Sequence, residues 1–218
     1  MPRLFDLDPV TGIRIRASRR TQHRYERNTA GDLIHIDVKK LGRIPDGGGW
    51  RLHGPDSINH RNHNRAKLGF DYVHVAVDDH SRLAFAQVLT DERGPTCARF
   101  LAAAAEFFAA HGVTIREVMT DNAMNYRLSG DFQGVLTLLG ARHILTRPHS
   151  PWQNGKAERF NRTLQENWAY RHPFTSNHAR TGALKPWLDH YNYARPHTAL
   201  AGQPPATRTP NGVNNLAA

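Results

Sequence analysis

A single cysteine, Cys97, stands in the 218 residues. It has no partner for an internal disulfide and cannot build a cysteine-rich zinc site, which excludes disulfide-stapled secreted scaffolds and most zinc fingers. Long apolar runs are missing as well. The longest, Phe100 to Ala110, is broken by Glu106 and falls far short of the roughly 20 residues that a membrane span requires. The arginines near the N-terminus are not followed by the apolar stretch of about 7–15 residues that marks a secretion signal. Acidic residues are scarce: 19 Asp and Glu face 29 Lys and Arg, a net charge of +10 with 14 histidines counted neutral. The expectation is a soluble protein of the reducing cytoplasm, not membrane-bound, with a surface suited to polyanions. Basic composition alone does not separate nucleic acid from other anionic surfaces.

What is present is a chain 39% hydrophobic, long enough for one domain with a substantial core. Residues 1–30 read as an arm, because Arg14, Arg16, Arg19, Arg20, Arg24 and Arg27 crowd a stretch with little periodicity. A solvated tail and a DNA-contacting one share that composition. The core is expected over residues 31–200, followed by a proline-rich, flexible tail over 201–218. Alternating apolar residues predict strands at Leu33–Val38, Phe70–Asp78, Leu83–Thr90, Val113–Asp121 and Ala141–Thr146. Three- and four-residue apolar steps predict helices from Pro95 to His111 and from Asp131 to Leu139, then from about Pro151 to Arg171 and from Gly182 to Tyr193. Ser150-Pro151-Trp152-Gln153 reads as a capping box for the third of these. Residues 45–67, with Gly47-Gly48-Gly49 and His53, His60 and His63, read as a long loop whose histidines lack zinc-site spacing. Three antiparallel strands leading into βα alternation imply a five-stranded mixed α/β sheet with helices on both faces.

Acidic residues on apolar strands of a basic protein need a reason, since an unpaired carboxylate beside a core is costly and a group of them around a cation is not. Asp37 lies among Ile34, Ile36 and Val38, and Asp121 closes the fourth strand, where α/β sheets place their sites. Glu158 falls at the edge of the buried stripe of the third helix, on the face of Asn154, Asn161, Arg162 and Gln165, while Lys156, Arg159 and Thr163 point another way. Three carboxylates without cysteine favour Mg²⁺ or Mn²⁺, and a pair of such ions suits phosphodiester chemistry. Two other readings stay open: Asp121 can cap the turn at Thr120-Asp121-Asn122, and Glu158 can pair with Arg162 one turn on. Asp78 and Asp79 sit in a hairpin corner, where aspartate commonly bonds its own backbone, and are read as structural.

Thr120-Asp121-Asn122, followed by Thr146-Arg147-Pro148-His149-Ser150-Pro151-Trp152-Gln153-Asn154-Gly155-Lys156-Ala157-Glu158-Arg159-Phe160-Asn161-Arg162-Thr163-Leu164, resembles the catalytic core of DDE transposases, the insertion-sequence enzymes related to retroviral integrases. His35-Ile36-Asp37-Val38-Lys39, Val77-Asp78-Asp79-His80-Ser81-Arg82 and Arg195-Pro196-His197-Thr198-Ala199-Leu200 resemble further motifs of that family, so the match runs over residues 25–206. The resemblance implies a ribonuclease-H-like fold and metal-dependent cleavage at the ends of a mobile element, followed by attack of the freed 3′-hydroxyl on target DNA. It implies Asp37, Asp121 and Glu158 as ligands of Mg²⁺ or Mn²⁺, two ions in number, with no small-molecule cofactor. Lys156, Arg159, Arg162, Asn154 and Arg147 would contact DNA, and the protein would act as a homo-oligomer. The alternative is an inactive or truncated remnant that only binds DNA.

Three departures from the family pattern carry expectations. The Asp121–Glu158 interval is one residue longer than in common relatives, with the addition placed between Tyr126 and Phe132, where a loop absorbs it. Ala123 stands where relatives usually have glycine; were a positive φ required there, alanine would cost on the order of 1 kcal/mol. Relatives also carry a helix-turn-helix region ahead of the core, for which residues 1–30 are too few, so recognition of the element ends is expected to come from elsewhere.

Overall fold

Alternation along the chain is enough to build the sheet. A computed structural model of the chain describes residues 26–56, 68–147 and 151–212, the side chains of residues 151 and 152 excepted. The first strand, β1 (Ile34–Gly42), pairs antiparallel with β2 (Phe70–Asp78) along its whole length, from Ile34 opposite Asp78 to Gly42 opposite Phe70. β3 (Ala84–Leu89) folds back on β2, and β4 (Glu117–Thr120) and β5 (Arg142–Leu145) follow in parallel, giving the order β3-β2-β1-β4-β5. The expected five-stranded mixed sheet is what forms. Its hairpin corner is closed by Asp78, which accepts bonds from the Ser81 amide and hydroxyl at 2.6 Å and from the Gly31 amide at 2.8 Å.

Period-two alternation sends the two sets of strand residues to different layers. Ile34, Ile36, Ala76 and Val118 pack against Phe100, Leu101 and Phe108 of α2 (Gly94–Ala110) and Phe132 and Leu136 of α4 (Gly130–Leu139). Val73, Val75 and Val77 pack against Ala157, Phe160 and Leu164 of α5 (Gly155–Leu164) and Leu188 of α7 (Leu184–Tyr193). Each of these large side chains contributes roughly 1.5–3 kcal/mol by leaving water. Helices thus cover both faces. The edge strand β3 gains a side-chain neighbour: Asn192 of α7 accepts from the Ala84 amide at 2.9 Å and donates to the Ala84 carbonyl at 2.8 Å.

Several boundaries differ from expectation, for local reasons. Residues 45–56 are not wholly irregular, because Trp50–His53 forms one helical turn, α1; His60 and His63 lie outside the described residues. A short helix, α3 (Met124–Arg127), precedes α4, and its N-cap Ala123 has φ −62° and ψ 143°, an extended conformation any residue adopts. No left-handed strain falls on Ala123. Ser150 of the anticipated capping box lies outside the described residues, and Pro151–Asn154 forms a 3-10 turn before α5 begins at Gly155. Beyond Leu164 the helix widens into a π turn, Gln165–Ala169, and Trp168 there donates to the Arg180 carbonyl at 3.0 Å. The expected last helix, Gly182–Tyr193, is α7 (Leu184–Tyr193), and a further short helix, α6 (Asn177–Gly182), precedes it, kept separate because Pro186 has no N–H to return to the Gly182 carbonyl. Residues 201–212 do not form the extended tail expected. Pro205–Arg208 makes a 3-10 turn that buries Ala206 completely in the α2 layer, and Arg208 bonds Glu26 at 2.7 Å.

Candidate active site

β1 and β4 are the neighbouring parallel strands at the middle of the sheet, with Ile34 opposite Val118 and His35 opposite Met119. Two residues further along each strand come Asp37 and Asp121, so the register sets the two carboxylates side by side beyond the end of β4. Both line a cleft of about 410 Å³ together with Val38, Glu92, Arg93 and Tyr126. Asp121 is exposed, and one of its oxygens accepts the Ala123 amide at 3.0 Å. It therefore caps its turn, as one reading of the sequence held, and its second oxygen accepts nothing from the described residues.

Glu158 enters from α5, whose buried stripe of Ala157, Phe160, Asn161, Leu164 and Trp168 lies against the sheet as the helical arithmetic predicts. Asn161 leaves that stripe to donate to Asp37 Oδ2 at 2.7 Å. Glu158 is exposed and forms no ion pair with Arg162 or any other described residue. Burial, together with the charges of Asp121 and Glu158, pushes the Asp37 carboxyl up to about 6, against the opposing bonds of the Val38 amide and Asn161. Burial is the largest cause, and the charges of Asp121 and Glu158 add to it. Glu92, which the sequence reading missed, adds a third carboxylate to the cleft wall beside Asp37 and Asp121, although it is bound to Lys40 at 2.5 Å. Nothing in the loop sequence before α2 signalled it.

A buried polar network fixes the start of α5. His35, 1% exposed, bonds Asn154 Oδ1 at 3.0 Å and Asp79 Oδ1 at 2.9 Å. Asn154 also donates to the Ile36 carbonyl, and Lys156 donates to Asp79 at 3.0 Å. Burial works to raise the Asp79 carboxyl, but His35, the Arg27 amide and Lys156 overcome it and hold the group well below the ordinary carboxylate range. Asp79 is thus a clamp between β1 and α5 and does not bond the hairpin's own backbone. The amide of Asn154, expected at DNA, is buried with both ends engaged inside the protein. Lys156 has 21% of its side chain exposed and is bound to Asp79, whereas Arg159, Arg162 and Arg147 are exposed.

The donor chemistry of the cleft fits a hard divalent cation: oxygen ligands only, no lysine or arginine of the described residues ion-paired to any of the three carboxylates, and one carboxyl pushed up chiefly by its burial. As placed, no three His, Cys, Asp or Glu side chains among the described residues are close enough to share an ion. Asp121 and Glu158 are exposed, and Asp37 is held by Asn161.

A sheet of this order, with one acid on its central strand, a second just past the end of the parallel strand beside it and a third on the helix packed against them, defines a ribonuclease-H-like α/β domain. Comparison with known proteins makes the assignment specific. The profile of the family described as Integrase core domain matches residues 27–151, and a second profile of that description matches residues 139–205. The chain belongs to the integrase core domain family, whose catalytic cores are divalent-metal-dependent polynucleotidyl transferases. It is similar in fold to a chain of the simian T-cell lymphotropic virus intasome in complex with PP2A regulatory subunit B56 gamma, with TM-score 0.63 and 20% identity over 85% of this chain. The HTLV-2 integrase catalytic core domain, in complex with magnesium in a trimeric form, gives TM-score 0.56 and 16% identity, covering 83% of this chain and 97% of that one. The BIV integrase catalytic core domain gives 0.52 and 17%, covering 80% and 91%. The chain spans 56% of the length of the intasome chain it matches. No helix among the described residues is long and apolar enough to cross a membrane.

Proposed function

We propose that this chain is the catalytic core of a transposase, cutting DNA at the ends of an insertion element and joining the freed 3′-hydroxyl to target DNA. The observation that carries the reading is the placement of Asp37 on β1 beside Asp121 just past β4 in one cleft, with Glu158 on the neighbouring helix α5. These three residues would hold Mg²⁺ or Mn²⁺, two ions by analogy with phosphodiester chemistry, which when bound would activate the attacking oxygen and stabilise the leaving one. Asn161 keeps the Asp37 carboxylate aimed into the cleft, and the clamp of His35, Asn154, Asp79 and Lys156 keeps Glu158 at its rim. Arg147, Arg159 and Arg162 would hold backbone phosphates, setting affinity and position but not sequence. Lys156 would add its charge beside them from its place on Asp79. Joining two element ends calls for at least two copies of the chain. Cytoplasmic residence agrees with Cys97, a buried thiol pushed by burial up to about 11 and hence inert.

The test is Mn²⁺-dependent nicking and strand transfer on plasmid DNA at low salt, with Glu158→Gln and Asp121→Asn in parallel. The parent is expected to cut and join, both variants to lose at least a hundredfold, and all three to bind DNA alike. Variants as active as the parent would end the assignment. An inactive parent that binds DNA, with a melting temperature indifferent to Mn²⁺, would instead favour a remnant.

A further inference from the structure

Where β1 ends at Gly42, a cavity of about 230 Å³ opens that the carboxylate cleft does not use. Two local features build it. The Gly47-Gly48-Gly49 run turns the chain back after the strand: Gly48 has φ +90°, its amide bonds the Pro45 carbonyl at 3.0 Å, and a Cβ there would meet the Leu52 side chain at 2.5 Å. That turn delivers Trp50 and Arg51 of α1 to the lining. The π turn that ends α5 delivers Tyr170, whose amide closes on the Gln165 carbonyl at 2.9 Å; such turns recur at functional sites. Arg51 bridges the two pieces, its guanidinium 5.1 Å from the Trp50 ring centre and 4.3 Å from that of Tyr170. Phe174, Arg43 and Arg180 also line the cavity, and the two arginines share Asp71 at 3.0 and 3.1 Å. The lining contains no Asp or Glu, so three arginines answer to one carboxylate. Trp50 is 49% exposed and Tyr170 36%, apolar surface that a flat ligand would take out of water.

Exposed rings interleaved with guanidinium planes are a surface on which nucleobases stack, because every base offers a π face. We propose that this cavity takes one unstacked nucleobase of a DNA strand, with Trp50 and Tyr170 supplying the stacking faces and Arg51 the charge for the adjoining phosphate. Its volume, below the roughly 300–1,000 Å³ usual for drug-sized ligands, suits a single flat ring system. A peptide bearing aromatic or proline side chains would use the rings but leave the surplus positive charge unanswered. Position favours DNA as well. Gly42 stands five residues past Asp37 on β1, and at about 3.4 Å per residue that is roughly 17 Å, or about five base steps of a duplex at 3.4 Å each. A strand crossing the carboxylate cleft therefore comes to the cavity within about half a helical turn. That a strand is there to be bound rests on the reading of this chain as a DNA-acting core; the stacking walls do not depend on the carboxylates being catalytic.

The test compares two single strands of equal charge and about 12 nucleotides, oligothymidylate and the same strand without its bases, bound by the whole chain in EDTA at low salt. Extruding a paired base costs a few kcal/mol, so single strands give the cleanest reading. Both present the same phosphates, and the ratio of their affinities reports the bases alone. The parent is expected to bind oligothymidylate roughly 5- to 150-fold more tightly, the range for one stacked base. Trp50→Ala/Tyr170→Ala is expected to bring the ratio near one while leaving the affinity for the baseless strand unchanged, and Trp50→Phe/Tyr170→Phe to retain most of it. Leu138→Ala, an exposed apolar position on α4, serves as the control and is expected to keep the parent's ratio. A parent ratio near one, or a double alanine variant that keeps the parent's ratio, would overturn the proposal. Should the double variant fail to fold, Trp50→Ala alone makes the same measurement. Tight binding of both strands with a ratio near one would leave the DNA reading standing and give the cavity to another occupant, such as a peptide. Binding of neither strand would end the DNA reading, and this proposal with it. The ratio is read without metal, so a chain that cuts nothing can still show it.

Discussion

Asp37 is the residue on which the cleft balances. Its carboxyl, pushed up to about 6, lies above the value near 3.9 of an unfolded aspartate. Between those two values the folded, metal-free protein therefore binds more protons than the unfolded chain, and Asp37 lowers stability increasingly as pH rises through 6. Asp37→Asn removes that ionisation. In EDTA at pH 7.5 it is expected to raise the unfolding free energy by on the order of 1–3 kcal/mol, with the gain gone near pH 4. Urea unfolding at the two pH values measures it, and an equal effect at both would show that ionisation is not the cause. A residue that weakens the fold where it is charged has a reason other than stability to be there. Asp37 and Asp121 drew attention in the sequence because acids on apolar strands stand out in a basic chain, and Glu158 did so through its helix face and the motif around it. Glu92 was not, because a loop residue reaches the cleft only through the packing of α2, which no local pattern records. Ala123 was legible as a departure but its backbone was not: φ depends on how the turn after β4 is held, here by the Asp121 side chain.

The contact between elements that matters most is the clamp of β1 to α5. Asp79 is fully buried between His35 and Lys156. Asp79→Ala leaves three polar groups, the His35 ring, the Lys156 ammonium and the Arg27 amide, without their acceptor and is expected to cost about 3 kcal/mol or more in unfolding free energy, read by urea denaturation. Its depressed carboxyl gives the sign with pH: the contribution is present above the unfolded value near 3.9 and lost as pH falls toward the folded one. A loss of under 1 kcal/mol at neutral pH would mean the clamp is incidental. Two adjacent aspartates in Val77-Asp78-Asp79 have identical local sequence signals and opposite uses. Asp78 closes its own hairpin, as turn chemistry suggested, and Asp79 reaches another element. Period and capping residues set strand order and helix faces well, as the stripe of α5 shows. They carried no sign of the π turn at Gln165–Ala169, where Trp168 is drawn to the Arg180 carbonyl twelve residues away.

Across the whole molecule, the part least readable from sequence was the end of the core. Four prolines between 196 and 210 suggested an extended chain, yet proline also presets the φ of a first turn, and Pro205 begins one that carries Ala206 into the α2 layer. Removing residues 204–218 uncovers that layer and breaks the Arg208–Glu26 bond, and is expected to lower the melting temperature by roughly 5–10 °C. Differential scanning calorimetry checks it; an unchanged melting curve would mean the segment only rests on the surface. The same bond has a consequence for assembly. Glu26, near the start of the described core, grips both Arg208, near its end, and Arg82 of the β2–β3 corner. Sequence joined ahead of the core and sequence joined behind it therefore set out from one corner, like two cords tied to a single ring. A pull on either end of the described core is taken up by the Glu26 ion pairs before it reaches the sheet.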